Sequence, residues 1–504
     1  MSSAPPPSAP PGSPWRNALE GALCVATAVV AMAAAAWAAL TLLGAGAVAP
    51  VSRLAPMMVS MAVGGGVTVE SVPSPESADG GGLGGGLGGL LGGLGGGGGM
   101  SLGLTGEAAL TPLTLTFLGM AVLAIAFFRP LRRRQRPAPA LLWARCGGAL
   151  ATTAVVFPAI AATAQGTARL PESVTERFGK GASSGALSRF TGGGGGGLSK
   201  GLSSVMFETD AVAAAFLGLL WVGAVLAVGC VAARRTTLPR PLALSRVRLK
   251  WNAVTSTLTG TAAVLCCSTL AVAVLAGAAA LTGRDQAAKA AGLLLLAGPN
   301  LIAVLLTTGL GTSWEAGMHR LQSDGGGMLG MLGGGAQGDT AGTDRSVDLS
   351  GWSGAGMPLW LIAMVLMLLL LTTAGYVASA RTPARTPREG SEALLDRHAE
   401  IALRMGIAVG ITALTLPLAA RGSVRIGITL MGNEMGGMTA GLDDGLGLSP
   451  LTGFVLAALA AYGGSRLQNR RARRRGRVAQ PTSTATRRPA VARSTARVPS
   501  DSAS

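Results

Sequence analysis

Charge is scarce in this 504-residue chain. Charged residues make up 13% of it, and hydrophobic residues 49%. With a mean hydropathy of +0.48, that balance excludes an ordinary soluble domain. Histidine is scarcer still, with only His319 and His398. Gly181-Ala-Ser183-Ser-Gly185 satisfies a GxSxG pattern. A nucleophile elbow also needs a strand-to-helix turn and a histidine base, and His398 is expected on the opposite side of the membrane, so a hydrolase is not expected. The five cysteines, Cys24, Cys146, Cys230, Cys266 and Cys267, all fall in apolar runs. No structural disulfide is expected, and the Cys266–Cys267 pair lacks the flanking ligands of a metal site. No GxxxxGK[ST] occurs, and the GxGxxG strings lie in glycine tracts without strand–helix context. No apolar run carries a central Asp, Glu or Lys, which argues against proton coupling. Neither a cofactor nor an enzymatic activity is expected.

What is present is an alternation that runs four times. An apolar stretch leads to a Gly-rich, weakly acidic segment, then to another apolar stretch, then to a knot of arginines. Runs of about 20 residues match the thickness of a hydrocarbon core. Spans are expected near Asn17–Leu43, Ala109–Phe128, Ala140–Ala162, Ala211–Ala233, Val254–Leu281, Met357–Ala378, Ile401–Ala420 and Leu451–Tyr462. The fold class is an all-α polytopic membrane protein. The N-terminal segment lacks a basic n-region and a persuasive cleavage site, so the first span reads as a retained anchor.

Lys/Arg bias sets orientation. With the N-terminus, 129–139, 234–253, 379–400 and the C-terminal tail on one side, and Arg145 and Arg404 counted with it, that side holds 29 of 41 basic residues and 6 of 23 acidic ones. It is taken as the cytoplasm, which places both termini there. The expected location is a bacterial plasma membrane. The basic tail suits anionic lipid headgroups or simply holds the last helix in orientation. Nucleic acid is not the expected partner, because polybasic flanks are routine beside spans.

One further apolar run, Ala290–Leu310, would invert every later loop if it crossed. It contains Gly298-Pro299-Asn300, and an interior proline costs roughly 3 kcal/mol. The expectation is a re-entrant element over 290–310, broken near Gly298–Asn300, that stays on the outer half of the membrane. Asn300 is expected to supply donors to the carbonyls freed before Pro299.

The chain also repeats itself. Arg145-x-Gly147-x-Ala149…Thr153-Ala154…Pro158 matches Arg404-x-Gly406-x-Ala408…Thr412-Ala413…Pro417 without a gap. Trp15-Arg-Asn17-Ala18 resembles Trp251-Asn252-Ala253, and Pro56–Gly66 resembles Pro299–Gly309. Thr111-Pro112-Leu113 resembles Met357-Pro358-Leu359 in turn. The organisation read from this is a Pro/Ser-rich tail (1–16), a four-span half (17–249), a second four-span half (250–465) and an Arg-rich tail (466–504), with both tails disordered. Even span counts put the halves parallel.

Candidate site residues follow from that scheme. Arg145 and Arg404 lie just inside the inner ends of matching spans, either snorkelling or facing the bundle as paired charges. Glu400 suits Arg404 at i, i+4, and Glu20 is the nearest candidate for Arg145 by depth. Pro56, Gly66, Pro158, Pro299, Asn300, Gly309 and Pro417 mark the breaks. Met431, Met435 and Met438, with Met57, Met58, Met61, Met328 and Met331 as company, have the spacing of thioether copper sites. Leucine takes the same role in the glycine segments of the first half, however, which points to generic apolar side chains. Thr255, Ser256, Thr257, Thr259 and Thr261 are expected to bond their own helix. From Gly80 to Gly99, fifteen of twenty residues are glycine, with Leu83, Leu87, Leu90, Leu91 and Leu94 at helical spacing. That segment reads as a flexible linker or as a stripe packed closely on other backbones.

The WRNALEGAL opening, the outer Gly/Leu blocks and the Arg-rich inner loops resemble the streptophobe family, large hydrophobic membrane proteins of actinobacteria. The resemblance implies a polytopic membrane fold and supplies no active-site residues. Two function classes are carried forward. One is a solute or ion pathway between the halves, lined by the segments near Pro56 and Pro299. The other is a non-catalytic envelope scaffold that binds a protein partner through its outer loops.

Overall fold

The computed structural model describes residues 13–71, 102–133, 138–169, 204–233, 238–280, 285–322, 345–348, 353–354, 357–382, 395–430, 433–445 and 448–478. The glycine tract Gly80–Gly99, the Gly181–Gly185 motif, Met328, Met331, Met431 and the tail after Val478 lie outside these residues.

The chain is mostly helical. Its first part comprises α1 (Pro14–Leu43), α2 (Val51–Ala62), α3 (Leu113–Arg133), α4 (Pro139–Thr163) and α5 (Ala211–Ala232). The second part comprises α6 (Arg246–Ala280), α7 (Asp285–Gly309), α8 (Leu359–Arg381), α9 (Arg397–Ala420) and α10 (Ser449–Val478). Eight described helices are long and apolar enough to cross a bilayer, which makes this a membrane protein. They are α1, α3 to α9, so the number agrees with expectation but the membership differs. Helix α7 qualifies by composition, whereas α10 does not, because arginines fill its second half.

Strands grow from the sheet-side ends of these helices. They are β1 (Val67–Ser71), β2 (Leu102–Leu110), β3 (Gly166–Arg169), β4 (Ser204–Thr209), β5 (Ser313–Gln322), β6 (Arg345–Asp348), β7 (Gly422–Leu430) and β8 (Asn433–Gly445). All pair antiparallel in one eight-stranded sheet of order β3-β4-β1-β2-β7-β8-β5-β6. The apolar runs predict helices only, so this sheet is an addition to the all-α expectation, lying beyond the helices.

The sheet is amphipathic, and its registers show how. One face carries Ala168, Val205, Phe207, Val67, Val69, Ala108, Val424, Ile426, Ala440 and Ala316 on successive strands. The other carries Thr68, Glu70, Glu107, Glu208, Arg425, Thr439 and Glu315. Alternation of this kind marks a sheet buried on one side only. The apolar face packs on the helices: Val67 and Phe207 join Met61, Met57 and Met58 of α2 in one cluster.

At the opposite end of the bundle, arginines and an asparagine collect the carbonyls that helix termini leave unpaired. Arg248 of α6 donates through Nε to the Cys230 carbonyl (3.0 Å) and through Nη2 to that of Ala233, closing α5. Asn252 donates to the Val231 carbonyl at 2.6 Å. Arg397 of α9 donates to the carbonyls of Ser379 (3.1 Å) and Thr382 (2.7 Å), closing α8. Cationic side chains at helix C-termini also oppose the helix dipole favourably.

Glycine allows the helices to touch. A Cβ built on Gly21 of α1 would lie 2.0 Å from the Arg145 carbonyl oxygen, and one on Gly148 would lie 2.0 Å from that of Ala18. A Cβ on Gly375 of α8 would meet Ala461 at 2.5 Å, and one on Gly464 would meet the Thr372 carbonyl oxygen at 2.3 Å. Small residues let backbones approach where lipid supplies no hydrophobic drive. The first part has one apolar core, built around Met32, Leu115, Leu123, Phe127 and Phe157. The second part has another, around Leu371, Ile401, Met405 and Val409.

Candidate functional site

Helix α7 departs from the other helices. Gly292 near its start packs on Ala39, Leu42 and Leu43, the sheet-side end of α1. Its middle meets the start of α3, and Gly309 packs on Ala363, one turn into α8. Leu310 accepts a 2.6 Å bond from Thr452 in the first turn of α10. The helix therefore runs across the sheet-side ends of its neighbours, despite having the length and composition to cross a bilayer.

The expected break at Gly298–Asn300 is absent: α7 is one uninterrupted helix through Pro299. Proline removes a single N–H from the ladder, and packing holds the rest together. Gly298 and Pro299 are buried, Gly298 faces Thr269 of α6, and Thr114 donates to the Leu296 carbonyl at 3.1 Å. Asn300 does not serve the carbonyls before Pro299. Its Nδ2 donates to the Thr111 carbonyl (2.8 Å), and its Oδ1 accepts from the Leu113 backbone N–H (2.9 Å). It therefore caps α3 and latches α7 to the β2–α3 junction. Asparagine is suited to this because one amide both donates and accepts.

Helices α2 and α7 end alike. Gly64 (φ 103°) and Gly311 (φ 92°) are left-handed. Gly65 N–H donates to the Ser60 carbonyl, and Thr312 N–H to the Thr307 carbonyl, the arrangement of a Schellman cap. A strand follows each within three residues. Counted back from these glycines, Pro56 and Pro299 stand one helical turn out of register. Gly66 has open space about its Cα and serves as the junction into β1, whereas a Cβ on Gly309 would meet the Ala363 carbonyl oxygen at 2.5 Å.

Arg145 is buried, and its side chain is only 3% exposed. It donates to Glu20 (3.1 Å), the Cys24 sulfur (3.3 Å) and the Ala126 carbonyl (3.1 Å), and its guanidinium lies 5.0 Å from the Phe127 ring centre. It faces inward and ties α4 to α1 and α3. Arg404 pairs with Glu400 on its own helix and donates to the Lys250 carbonyl of α6 at 2.7 Å. Pro158 sits near the end of α4 and Pro417 in the last turn of α9, and Pro417 is buried. Leu416 and Ala420, beside Pro417, pack with Ala303 and Val304 of α7.

The remaining candidates separate. Met57, Met58 and Met61 pack under the sheet. His319 lies on the sheet and His398 in the first turn of α9, at opposite ends of the molecule. His398 Nδ1 contacts the Ser465 hydroxyl at 2.9 Å. Thr255, Ser256, Thr257, Thr259 and Thr261 all donate to carbonyls of their own helix. Among the described residues, no cluster of three or more His, Cys, Asp or Glu is placed to hold a metal ion.

A cavity of about 620 Å³ lies between α7 and the sheet. Helix α7 contributes Leu296, Asn300, Leu301 and Val304. The strands contribute Met318, Val424, Ala440 and Leu442, all on the apolar face. Sequence reasoning missed both sheet and cavity. The signal was the alternation in Val67-Thr-Val-Glu and in Val424-Arg-Ile-Gly-Ile, at the two-residue period of a half-buried strand. No family model, curated protein or solved structure matches the chain.

Proposed function

We propose that the chain is a non-catalytic scaffold of a bacterial plasma membrane, presenting its sheet to the outer face as a binding platform. The observation that carries this reading is the amphipathic sheet itself. Its apolar side seals the ends of the helices, and its polar side, with Glu70, Glu107, Glu208 and Arg425, faces outward. A protein partner with complementary charge suits that surface, and anionic headgroups suit the arginines at the other end.

In this reading α1, α3, α4, α5, α6, α8, α9 and α10 cross the membrane, and α2 and α7 lie under the sheet on the outer side. Both termini are then cytoplasmic, as the arginine asymmetry requires. Two tandem, parallel halves account for the strand order, in which β3-β4-β1-β2 is followed by β7-β8-β5-β6, and for the paired Schellman caps. The resemblance to the streptophobe family fits the same architecture.

A solute pathway between the halves has less support. The segments near Pro56 and Pro299 lie beneath the sheet, each half packs its own apolar core, and the hydroxyls of α6 are spent on their own helix. Flux into vesicles reconstituted with the full chain tests the two readings. Unchanged ion and small-solute permeability is expected. A saturable flux lost on Asn300→Leu would overturn the scaffold.

A further inference from the structure

We propose that the cavity between α7 and the sheet is a binding site for one acyl chain of an outer-leaflet membrane lipid. Three observations point to that occupant. The walls are apolar, and the one polar side chain among the described residues that line the cavity, Asn300, has both amide groups committed to Thr111 and Leu113. A solute that needs hydrogen bonds would find none there, whereas hydrocarbon needs none. The volume of about 620 Å³ falls within the roughly 300–1,000 Å³ of ligand pockets.

The second observation is the comparison between the two lateral helices. Under β1 and β4, α2 fills the space with Met57, Met58 and Met61. Under β7, β8 and β5, α7 turns Leu296, Leu301 and Val304 toward strands whose facing residues include Ala316 and Ala440. Ala316 and Ala440 leave space between α7 and the strands, and Met58 of α2 borders it. An apolar void without an occupant forfeits dispersion contacts along its whole lining.

The third observation is continuity. Leu301, Leu110 and Met318 line the cavity and remain exposed at 59%, 46% and 45%. Ala420, also in the wall, follows the exposed Leu414 and Leu418 of α9. The rim thus joins the apolar surface of helices that cross a bilayer, and the apolar molecules at that depth are lipids. An exposed apolar patch of this kind marks an interaction site.

The site rests on the outer-face reading above, and its test separates the two. The full chain is placed in nanodiscs of phosphatidylglycerol and phosphatidylcholine doped with a phospholipid that carries a diazirine midway along one acyl chain. Photolysis followed by peptide mass spectrometry should place adducts on residues 296–304 and on 316–318 or 440–442. Ala440→Phe and Ala297→Phe, which fill the cavity from opposite walls, should abolish those adducts. Thr439→Phe, on the other face of the same strand, should leave them. Adducts confined to α6 and α8 in the unmodified chain would overturn the proposal whatever the variants do. So would undiminished cavity labelling in filled variants that keep the parent's melting temperature. If the adducts appear but an impermeant thiol reagent added from outside cells fails to reach Glu107→Cys, the orientation is wrong and the lipid site stands.

Discussion

Removing Glu20 should destabilise the protein more than removing Arg145, although the two form one ion pair. The reason is the inequality of their surroundings. The Arg145 side chain is 3% exposed and that of Glu20 34%. In Glu20→Ala, Arg145 keeps the Ala126 carbonyl, the Cys24 sulfur and the Phe127 ring, but its charge stays buried without a counter-charge. Breaking a fully buried pair in that way costs about 3–5 kcal/mol. With one partner a third exposed, the upper part of that range is screened, and about 2–3 kcal/mol is expected. In Arg145→Met the volume is kept and no buried charge remains, because Glu20 can turn to water. The loss should be about 1 kcal/mol, on the order of a net hydrogen bond. The double variant Glu20→Gln, Arg145→Met should be no worse than Arg145→Met alone. Thermal unfolding in detergent, followed by a thiol-reactive fluorophore in a Cys267→Ala background, reads this, because Cys24 is buried whereas Cys267 is exposed. A melting temperature for Arg145→Met at or below that of Glu20→Ala would refute the reasoning. It would mean that the packing of the arginine stem, rather than its charge, ties α4 to α1.

Asn300→Leu leaves the Leu113 N–H and the Thr111 carbonyl without partners, which should cost about 1–3 kcal/mol; hydrogen exchange at Leu113 should speed up while membrane insertion is unchanged, and unaltered exchange would show that the latch is idle. Gly148→Leu should prevent the close approach of α1 and α4 and lower the yield of monodisperse protein, whereas Gly147→Leu, with open space about Gly147, should be near neutral in size-exclusion chromatography. A reporter fused after Ser504 should score cytoplasmic; an external score would defeat the proposed orientation.

The sequence by itself determined the membrane class and the apolar runs, because lipid imposes length and hydropathy on each segment separately. It also located Arg145 and Arg404, since a charge inside an apolar run stands out wherever its partner lies. Glu400 was legible from i, i+4 spacing, which is local. Tertiary structure alone decided what α7 does. Its composition suits a span and its proline suggests a break, yet the packing of Gly292, Gly298 and Gly309 against α1, α6 and α8 keeps it continuous and lays it across the bundle. Asn300 reads as a local cap in sequence and serves as a long-range latch in the structure, because the groups it bonds lie 187 and 189 residues away. The sheet was hidden for the same reason. The strands β1, β3, β4 and β6 are short, β2, β5, β7 and β8 are interrupted by glycine, and most of their partners come from segments distant in the chain. The β7–β8 hairpin is local, with Leu430 facing Asn433, but pairings such as β2–β7 are not, and no window of the chain contains both sides of those.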